Sequence, residues 1–476
     1  MIGPVDRACI GSSSRANGTY RQSMAQHQTS GMSVGQGAAL TIGAVLGTGV
    51  ISLPAMAAAI AGPASILAWL ALVLLSVPLA TTFAALGARF PDAGGVSTYA
   101  RLAFGNRAAT AVGWLFYVVV PVGAPPAAAF AGGYVADLFG GSRTTTVWAS
   151  AVIIAGVAVL NWFGVRMSGR VQLGMAAVLA TLLVVAIVAA LPDADLGHLT
   201  PFAPSGWAAV APAAAVVVWG FAGWEAVTSL TAEYRNPARD VPRAAMVAVV
   251  VIGVLYLGVV SASILVLGPR TGISQAPLAE LLGMTFGTPG RVVTTLVAVL
   301  LTVGAMNAYF AGAAKLGAAL GRDGSLPVWF ARGDQAGQAP RRSLVVTTVL
   351  SVIALVATAM LHLDVASVVL VATGAFTVIY VVGTAAAIRL LPRGSWAWRT
   401  AVVSFVSVVA LLVVNGTHSA WPLAVAVAAV AYETVVSRRR TRTSRRRPSS
   451  TRSSATAPYP TASPATAVDA DSCAAR

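Results

Sequence analysis

A carboxylate and two glycines interrupt an apolar stretch near the middle of the chain. Residues 208–231 are long and apolar enough to cross a membrane as a helix, yet they contain Gly220, Gly223 and Glu225. A glutamate at the centre of a bilayer costs about 2.5–3.5 kcal/mol on insertion scales, and a purely structural helix gains nothing from it. A glycine-interrupted helix with an ionisable group at the interruption predicts a substrate or ion pathway.

A second interruption lies closer to the start of the chain. Residues 36–61 form another apolar stretch, with Gly47, Thr48 and Gly49 near its centre. Each glycine costs about 1 kcal/mol in a helix interior, so the backbone can open here and expose amide groups at the start of the second half-helix. Such an end carries partial positive charge and attracts a carboxylate. The alternative is close helix packing through small residues, but two interruptions together favour a binding site.

The composition indicates an all-α polytopic membrane protein. The 476 residues are 57% hydrophobic and 10% charged, whereas soluble domains carry about 25% charged residues. The alternating pattern of a lipid-facing β-barrel is missing, so helices are expected. We predict about twelve transmembrane helices, each near the length that crosses a hydrocarbon core of about 30 Å. They cover about 36–61, 65–88, 108–138, 144–163, 170–191, 208–231, 245–267, 290–320, 343–361, 364–391, 398–415 and 419–436.

Basic residues are distributed unevenly over the connections between these spans. The chain has 31 lysines and arginines against 15 acidic residues, a net charge of +16. Most arginines between spans follow the even-numbered ones, while the opposite connections carry Arg143, Arg270 and Arg291. By the positive-inside rule, this distribution places both termini in the cytoplasm. The orientation of the protein in the membrane therefore explains its positive net charge. Because no further explanation is needed, nucleic acid is not expected as a partner.

The two ends of the chain are predicted to be disordered cytoplasmic tails. Residues 1–34 are polar and lack an apolar signal region, and Met24 and Met32 offer alternative starts. Residues 437–476 begin with an arginine-rich run that can contact anionic lipids, although a solvated topology anchor is the simpler explanation. The two cysteines lie one in each tail, so neither a disulfide framework nor a cysteine-based metal site is expected.

The spacing of the two interruptions predicts an internal repeat. Five spans separate one unit from the next, and because five is odd, the second unit crosses the membrane in the opposite direction. A faint echo supports this, because residues 90–107 and 272–291 are both short amphipathic segments with a Phe-Gly pair. We expect repeat one over about 36–191 and repeat two over about 208–391, followed by helices 11 and 12 over about 398–436. The site should lie near the midplane between the repeats.

Four motifs together resemble the amino acid–polyamine–organocation (APC) superfamily of transporters. They are GTGVISLP at 47–54, WGFAGWE at 219–225, E-x-x-NP-x-R-D-V-P-R-A at 233–244 and GRDGSLP at 321–327. The resemblance covers about 35–436 and is greatest to bacterial exporters of methionine and branched-chain amino acids. It implies a LeuT-like 5+5 inverted repeat with helices 1 and 6 broken, two further C-terminal helices, and a place in the bacterial inner (plasma) membrane.

The resemblance also implies which residues bind the substrate. They come from the two breaks and are Gly47, Thr48, Gly49, Trp219, Gly220, Phe221, Ala222 and Gly223. The amides of the first three would hold the substrate α-carboxylate, and carbonyls freed where helices 1 and 6 unwind would hold the α-ammonium. The two aromatic residues would line or gate the cavity.

The possible energy sources for transport are limited by the residues that the sequence lacks. The single lysine, Lys315, lies in AAKLG, so no GxxxxGK[ST] loop for ATP is present. Residues 304–314 contain no Ser or Thr, which argues against a sodium site between helices 1 and 8. The fifth span, 170–191, has no lysine to carry a proton, which leaves Glu225 as the candidate for proton coupling and passive exchange as the competing explanation. No cofactor and no metal are expected.

The sequence therefore predicts a secondary active transporter of amino acids. An enzyme is not expected, because the four histidines are scattered over a tail and loops. Since Glu225 is almost the only acidic group within the spans, we expect proton-coupled efflux of neutral hydrophobic amino acids: methionine, leucine, isoleucine and valine. The alternatives are an uptake permease or exchanger of the cationic amino acid or polyamine branch, and a transport-inactive nutrient sensor. Two points stay open: whether Asn307 bonds between helices or lines the cavity, and the oligomeric state.

Overall fold

The fold is all-α in the computed structural model, which describes residues 32–91, 95–164, 169–224, 228, 231, 234–333 and 340–446. Extended pairing within those residues is limited to an isolated bridge between Met32 and Tyr234. The described residues divide into two compact units, one on each side of the boundary between residues 433 and 434. All the contacts discussed below lie within the first unit.

Fourteen α-helices make up the described part of the chain. In chain order they are α1 (Val34–Leu46), α2 (Gly49–Ala61), α3 (Ser65–Arg89), α4 (Val96–Phe104), α5 (Asn106–Leu138), α6 (Arg143–Trp162), α7 (Gly169–Ala190), α8 (Val210–Val217), α9 (Pro237–Leu267), α10 (Pro277–Asp323), α11 (Arg341–Met360), α12 (Val365–Leu390), α13 (Trp396–Val414) and α14 (Ala420–Arg446). Each span predicted from the sequence overlaps one or two of these helices.

The helices have the length and composition of membrane spans. Nine helical stretches in the described residues are long and apolar enough to cross a membrane, and one of them, Gly49–Arg89, runs through both α2 and α3. Helix α1 and the stretch Trp207–Phe221 are apolar but shorter. The chain is thus an all-α polytopic membrane protein, while the count of twelve spans remains a prediction.

The ends of the helical region differ slightly from the sequence prediction. Helix α1 begins at Val34 because the Ser33 side chain accepts from the Gln36 amide in a capping box, which satisfies otherwise unpaired amides of the first turn. Helix α14 continues to Arg446, ten residues beyond the predicted end at 436. Residues 1–31 and 447–476, which make up most of the predicted tails, lie outside the described residues.

The two echoed Phe-Gly pairs share one backbone feature. Gly105 separates α4 from α5 with φ of 87°, and Gly287 bends α10 with φ of 62°. Both angles lie in the left-handed region that glycine adopts without steric cost. The helical backbone therefore changes direction at both Phe-Gly pairs, while the inverted repeat itself stays a prediction.

Helix packing uses small residues to bring backbones close together, as is usual within membranes. Helix α3 packs along α9, and α5 packs against α6, α10 and α12. At Gly253 of α9, an added Cβ would come 2.8 Å from a Val73 methyl of α3, so this contact requires the smallest residue. The broken helices α1, α2 and α8 are held inside this frame, with α2 against α8 and α1 against α9.

Candidate functional site

The first helix break lies between α1 and α2. Helix α1 ends at Leu46, Gly47 has a non-helical backbone (φ 18°, ψ −134°), and α2 begins at Gly49. The break meets the second one closely, since a Cβ on Gly49 would lie 2.9 Å from the Gly220 Cα. Glycine at both positions allows this contact between two backbones.

The second break follows α8. The chain tightens into a 3₁₀ turn over Val218–Phe221, Ala222 is extended, and Gly223 has φ of 133°. A Cβ on Gly223 would lie 3.3 Å from the Ala44 carbonyl carbon of α1, so the two breaks pack against each other here as well. Trp224 has helical geometry, and Glu225 lies outside the described residues.

A buried tyrosine joins the two breaks. The Tyr256 hydroxyl of α9 lies 2.6 Å from the Gly220 carbonyl oxygen and 3.0 Å from the Val45 carbonyl oxygen. A phenolic hydroxyl has one proton, so it donates to one carbonyl or is shared between both. The ring packs against Trp69 and Phe221, with centroids 4.7 and 5.2 Å away. Tyr256 therefore fixes the distance between the end of α1 and the 3₁₀ turn.

Two further tyrosines bind backbone carbonyls near the breaks. The Tyr134 hydroxyl of α5 donates to the Ile51 carbonyl of α2 at 2.6 Å, and the Tyr380 hydroxyl of α12 donates to the Phe221 carbonyl at 3.2 Å. None of the three tyrosines was predicted from the sequence. The signal was present, because a hydroxyl inside an apolar span needs a partner when it is buried. The sequence does not show which carbonyl that partner is.

A central cavity of about 60 Å³ lies beside the two breaks. Five of the eight predicted binding residues line it: Gly47, Thr48, Gly49, Trp219 and Ala222. The rest of the lining comes from α1, α5, α10 and α12 and is small, aliphatic or aromatic: Ala44, Val45, Val119, Val120, Gly123, Ala124, Ala127, Ala305, Met306, Tyr309, Phe310 and Phe376. None of these described lining residues is charged.

Trp219 lies at one edge of the central cavity. Its indole Nε1 donates to the Thr48 hydroxyl at 3.3 Å, which links the 3₁₀ turn to the first break. The ring meets Phe130 and Phe376 edge-on, with centroids 6.0 and 6.4 Å away. Gly123 of α5 makes room for it, since a Cβ there would lie 3.0 Å from Trp219 Cη2.

The other three predicted residues lie elsewhere around the break. Phe221 turns away from the central cavity and packs against Trp69 and Tyr256. Gly220 and Gly223 form the backbone contacts with α2 and α1 described above.

Asn307 does not line the cavity. Its side-chain oxygen accepts from Asn161 Nδ2 at 2.8 Å, which is a bond between α10 and α6.

A second cavity, here called the vestibule, has a volume of about 380 Å³. It contains the charged residues Arg143 and Asp364, the polar residues Ser52, Thr146, Ser150, Ser274, Gln275 and Thr358, and an apolar surface that includes Met56, Leu355 and Val368. Phe130 also lines the vestibule. Because its ring touches Trp219, the Phe130–Trp219 pair lies between the vestibule and the central cavity.

Comparison with known proteins agrees with this architecture. The family model described as amino acid permease matches residues 33–434. An uncharacterized amino acid permease, YecA of Bacillus subtilis, is 31% identical over 397 residues, which is 83% of this chain and 94% of the relative. The L-methionine/branched-chain amino acid exporter YjeH of Escherichia coli is 33% identical over 291 residues, 60% of this chain and 68% of the relative. The chain therefore belongs to the amino acid permease family of the APC superfamily.

Proposed function

We propose that this permease exports neutral hydrophobic amino acids (methionine, leucine, isoleucine and valine) by alternating access. The observation that carries the proposal is the uncharged lining of the central cavity beside the two helix breaks. A lysine, arginine or polyamine side chain would lose its hydration there without gaining an opposite charge, which is strongly unfavourable. The aliphatic and aromatic lining instead gives favourable contacts to a hydrocarbon side chain.

The charged backbone of the substrate fits the breaks themselves. Helix α2 begins at Gly49, and its first amides, with the Thr48 hydroxyl, provide donors and partial positive charge for a carboxylate. The last turn of α1 ends at Leu46 and leaves carbonyl oxygens without helical partners, which suit an ammonium group. Tyr256 already engages the Val45 and Gly220 carbonyls, so the remaining carbonyls of these turns are the ammonium partners in this proposal.

Different observations support the direction of transport and the orientation of the protein in the membrane. Efflux is supported by the likeness to a relative whose name describes export of L-methionine and branched-chain amino acids. The arginine distribution supports a bacterial inner-membrane protein with both termini in the cytoplasm. In this orientation the connections that carry Arg143, Gln275 and Asp364 face the outside, so the vestibule opens outward. The arginines of the C-terminal tail would meet anionic lipid at the inner surface.

The substrate and the direction are tested in proteoliposomes that contain the purified protein. We expect counterflow of labelled leucine, competition by methionine, isoleucine and valine, and no competition by arginine, lysine or putrescine. Overexpression in cells should lower the internal pools of the same amino acids. Counterflow of arginine or lysine in place of leucine would assign the chain to the cationic branch. Substrate binding without any counterflow would identify a sensor.

Proton coupling through Glu225 is part of the same proposal. An apolar environment favours the protonated form of a carboxyl group, and Glu225 belongs to the apolar span predicted over 208–231. In this proposal Glu225 binds a proton in one state and releases it when the cavity opens to the other side. We expect Glu225→Gln to keep leucine binding and leucine–leucine exchange but to lose net transport driven by a pH gradient. If Glu225 instead makes a structural bond, the variant loses stability in detergent and keeps its pH dependence. Both quantities are measured on one preparation.

A further inference from the structure

We propose that an anionic phospholipid of the inner leaflet binds to a surface where α6 ends and α11 begins. The surface, here called the arginine–tryptophan patch, consists of Trp162, Phe163, Val328, Trp329, Arg341 and Arg342. The two arginines bind the lipid phosphate, and the four apolar residues contact the upper part of the acyl chains. The assignment to the inner leaflet rests on the proposed orientation, whereas the chemistry of the patch is independent of it.

Two arginine–tryptophan pairs stand side by side in the patch. The Arg341 guanidinium carbon lies 5.1 Å from the centroid of the Trp162 ring, and that of Arg342 lies 5.1 Å from the centroid of the Trp329 ring. Arg342 also donates through Nη1 to the Trp329 carbonyl at 3.2 Å. A guanidinium has five N–H donors, and stacking on a ring uses its face and leaves the edge donors for an acceptor. Such an edge matches the oxygens of a phosphate.

The positive charge of the two pairs is not balanced by a described acidic residue. The ion pairs among the described residues are Arg291–Asp137 and Arg322–Asp323, and neither involves the patch. Helix α11 begins at Arg341 with no acidic residue in its first turn, so the partial positive charge of the helix end adds to that of the arginines. An anion therefore gains an electrostatic attraction at the patch that the protein alone does not use.

The apolar residues of the patch identify the anion as a lipid. Phe163 is 75% exposed and Val328 is 77% exposed, and the two tryptophans are exposed as well. A free phosphate ion would bind the arginines and leave these side chains in water, whereas a phospholipid covers them with its acyl chains. Tryptophan and arginine side chains are also suited to the boundary between headgroups and hydrocarbon, since both combine an apolar body with a polar end.

The connection that carries Trp329 is held in place by contacts with α5. The Trp114 indole of α5 donates to the Ser325 carbonyl at 2.8 Å. The Phe330 ring packs edge-on against Tyr117 of the same helix, with centroids 6.1 Å apart. Phe330 therefore faces the protein, while its neighbour Trp329 is exposed and stacks with Arg342. Because these contacts already fix the connection, binding a lipid costs little ordering of the protein.

The proposal is tested by measuring lipid binding to the purified full-length protein with native mass spectrometry. The probes are phosphatidylglycerol and phosphatidylcholine with the same acyl chains. We expect the protein to retain phosphatidylglycerol preferentially, and the double variant Arg341→Gln/Arg342→Gln to bind it about tenfold more weakly and to retain one molecule fewer. Binding of phosphatidylcholine should not change. The arginines of the C-terminal tail are the same in every variant, so their contribution cancels from the comparison.

The matched control removes the same charge from the same predicted side of the membrane. Arg393 and Arg399 are exposed, and neither is among the described arginines that stack on an aromatic ring. Arg393→Gln/Arg399→Gln should therefore retain phosphatidylglycerol as the unmodified protein does. An equal loss in both double variants would show that only net charge matters, and the patch would then be wrong.

Two further measurements separate a lipid site from a site for a free anion. Phe163→Ser/Val328→Ser changes two exposed side chains without touching a charge, and it should weaken phosphatidylglycerol binding several-fold. Glycerol 3-phosphate, the same headgroup chemistry without acyl chains, should not displace the lipid at an equal concentration. Unchanged binding in this variant, or displacement by glycerol 3-phosphate, would identify an anion site and overturn the lipid proposal.

The outcomes distinguish this proposal from the proposed function. Loss of lipid selectivity in a protein that exchanges leucine would overturn the patch and leave transport standing. Selective lipid retention in a protein that moves no leucine would support the patch and overturn the proposed substrate. A loss of phosphatidylcholine binding equal to that of phosphatidylglycerol in Arg341→Gln/Arg342→Gln would mean that the arginines act on the fold, and the proposal would be wrong.

Discussion

At the residue scale, the two breaks could be located from the sequence because glycine is costly within a helix. The backbone departs from helical geometry at Gly47 and again at Ala222 and Gly223, within the motifs that the sequence singled out. The direction of the side chains was harder to predict. Trp219 and Phe221 were both expected at the cavity, but residues two apart in a 3₁₀ turn, which has about three residues per turn, point in different directions. Trp219 therefore lines the cavity while Phe221 packs behind it.

Tyr256 shows why part of the site cannot be predicted from one sequence. Its hydroxyl bonds to carbonyls of residues 45 and 220, which are far apart in the chain and are brought together by tertiary packing. A tyrosine in an apolar span indicates that its hydroxyl has a hydrogen-bond partner. The identity of that partner depends on which helices are neighbours. The same limit applies to Tyr134 and Tyr380.

Replacing Tyr256 with phenylalanine should uncouple the two breaks. The ring would still pack on Trp69, but buried carbonyls would lose their donor, and we expect a loss of about 1–3 kcal/mol in stability together with strongly reduced leucine counterflow. The control is Tyr117→Phe, because the Tyr117 hydroxyl is also buried but bonds to Ser343 and Thr347, away from the breaks. Thermal unfolding in detergent and counterflow are measured on both variants. An equal loss of transport in both would contradict a specific role for Tyr256.

Gly49→Ala should abolish transport. The added methyl group would lie 2.9 Å from the Gly220 Cα, a backbone atom that cannot move without displacing the second break. Gly312→Ala is the matched control, since nothing lies within 4 Å of a Cβ at that position of α10. The control should be neutral or stabilised by up to about 1 kcal/mol, because alanine favours the helix. Counterflow that persists in Gly49→Ala would show that the close contact of the breaks is dispensable.

At the element scale, the start of α1 is tied to the segment that precedes α9. Met32 bridges to Tyr234, and the Arg235 amide donates to the Met32 carbonyl at 3.2 Å. The Tyr234 ring lies directly against Gly37, where an added Cβ would clash with the tyrosine hydroxyl. In the proposed orientation these contacts lie on the cytoplasmic side, and we expect α1 to move away from Tyr234 when the central cavity opens inward.

Gly37→Ala should therefore shift the protein towards the inward-open state. The methyl group cannot fit beside Tyr234, so either the ring or α1 must move. We expect a cysteine at Ala44, which lines the central cavity, to react several-fold faster with a thiol reagent added from the cytoplasmic side. Gly35→Ala provides the control, since nothing lies within 4 Å of a Cβ there. Equal reactivity in both variants would show that Tyr234 does not limit opening.

This closure should not respond to pH in the physiological range. Burial, with a smaller contribution from Asp240, raises the pKa of Tyr234 to about 12. A pKa raised in the folded state means that the packed, neutral tyrosine contributes its full stability below about pH 10, the ordinary pKa of tyrosine. That contribution is lost as the pH rises through about 12. A pH dependence of transport between about pH 5 and 8 would therefore have to come from a group other than Tyr234, and Glu225 is the group proposed for it.

At the scale of the whole molecule, composition was enough to predict an all-α membrane protein, and motifs were enough to predict its family. The vestibule was not predicted. Arg143 and Asp364 are separated by more than two hundred residues and stand in connections that look like ordinary polar loops. Only the packing of α6 beside α11, with α12 across from them, brings these charges to one cavity.

The orientation of the protein in the membrane decides which side of the membrane each of its cavities faces. The arginine-rich connections predict that Arg322 faces the cytoplasm and Arg270 faces the outside. Both residues are exposed, so replacing either with cysteine should not disturb packing, and the Arg322–Asp323 ion pair lost in one case contributes little at a surface. In intact cells, with the native cysteines replaced by serine, a membrane-impermeant reagent should label Arg270→Cys directly and Arg322→Cys only after permeabilisation. Labelling of both from one side would contradict the predicted topology. Reversed labelling would turn the vestibule towards the cytoplasm.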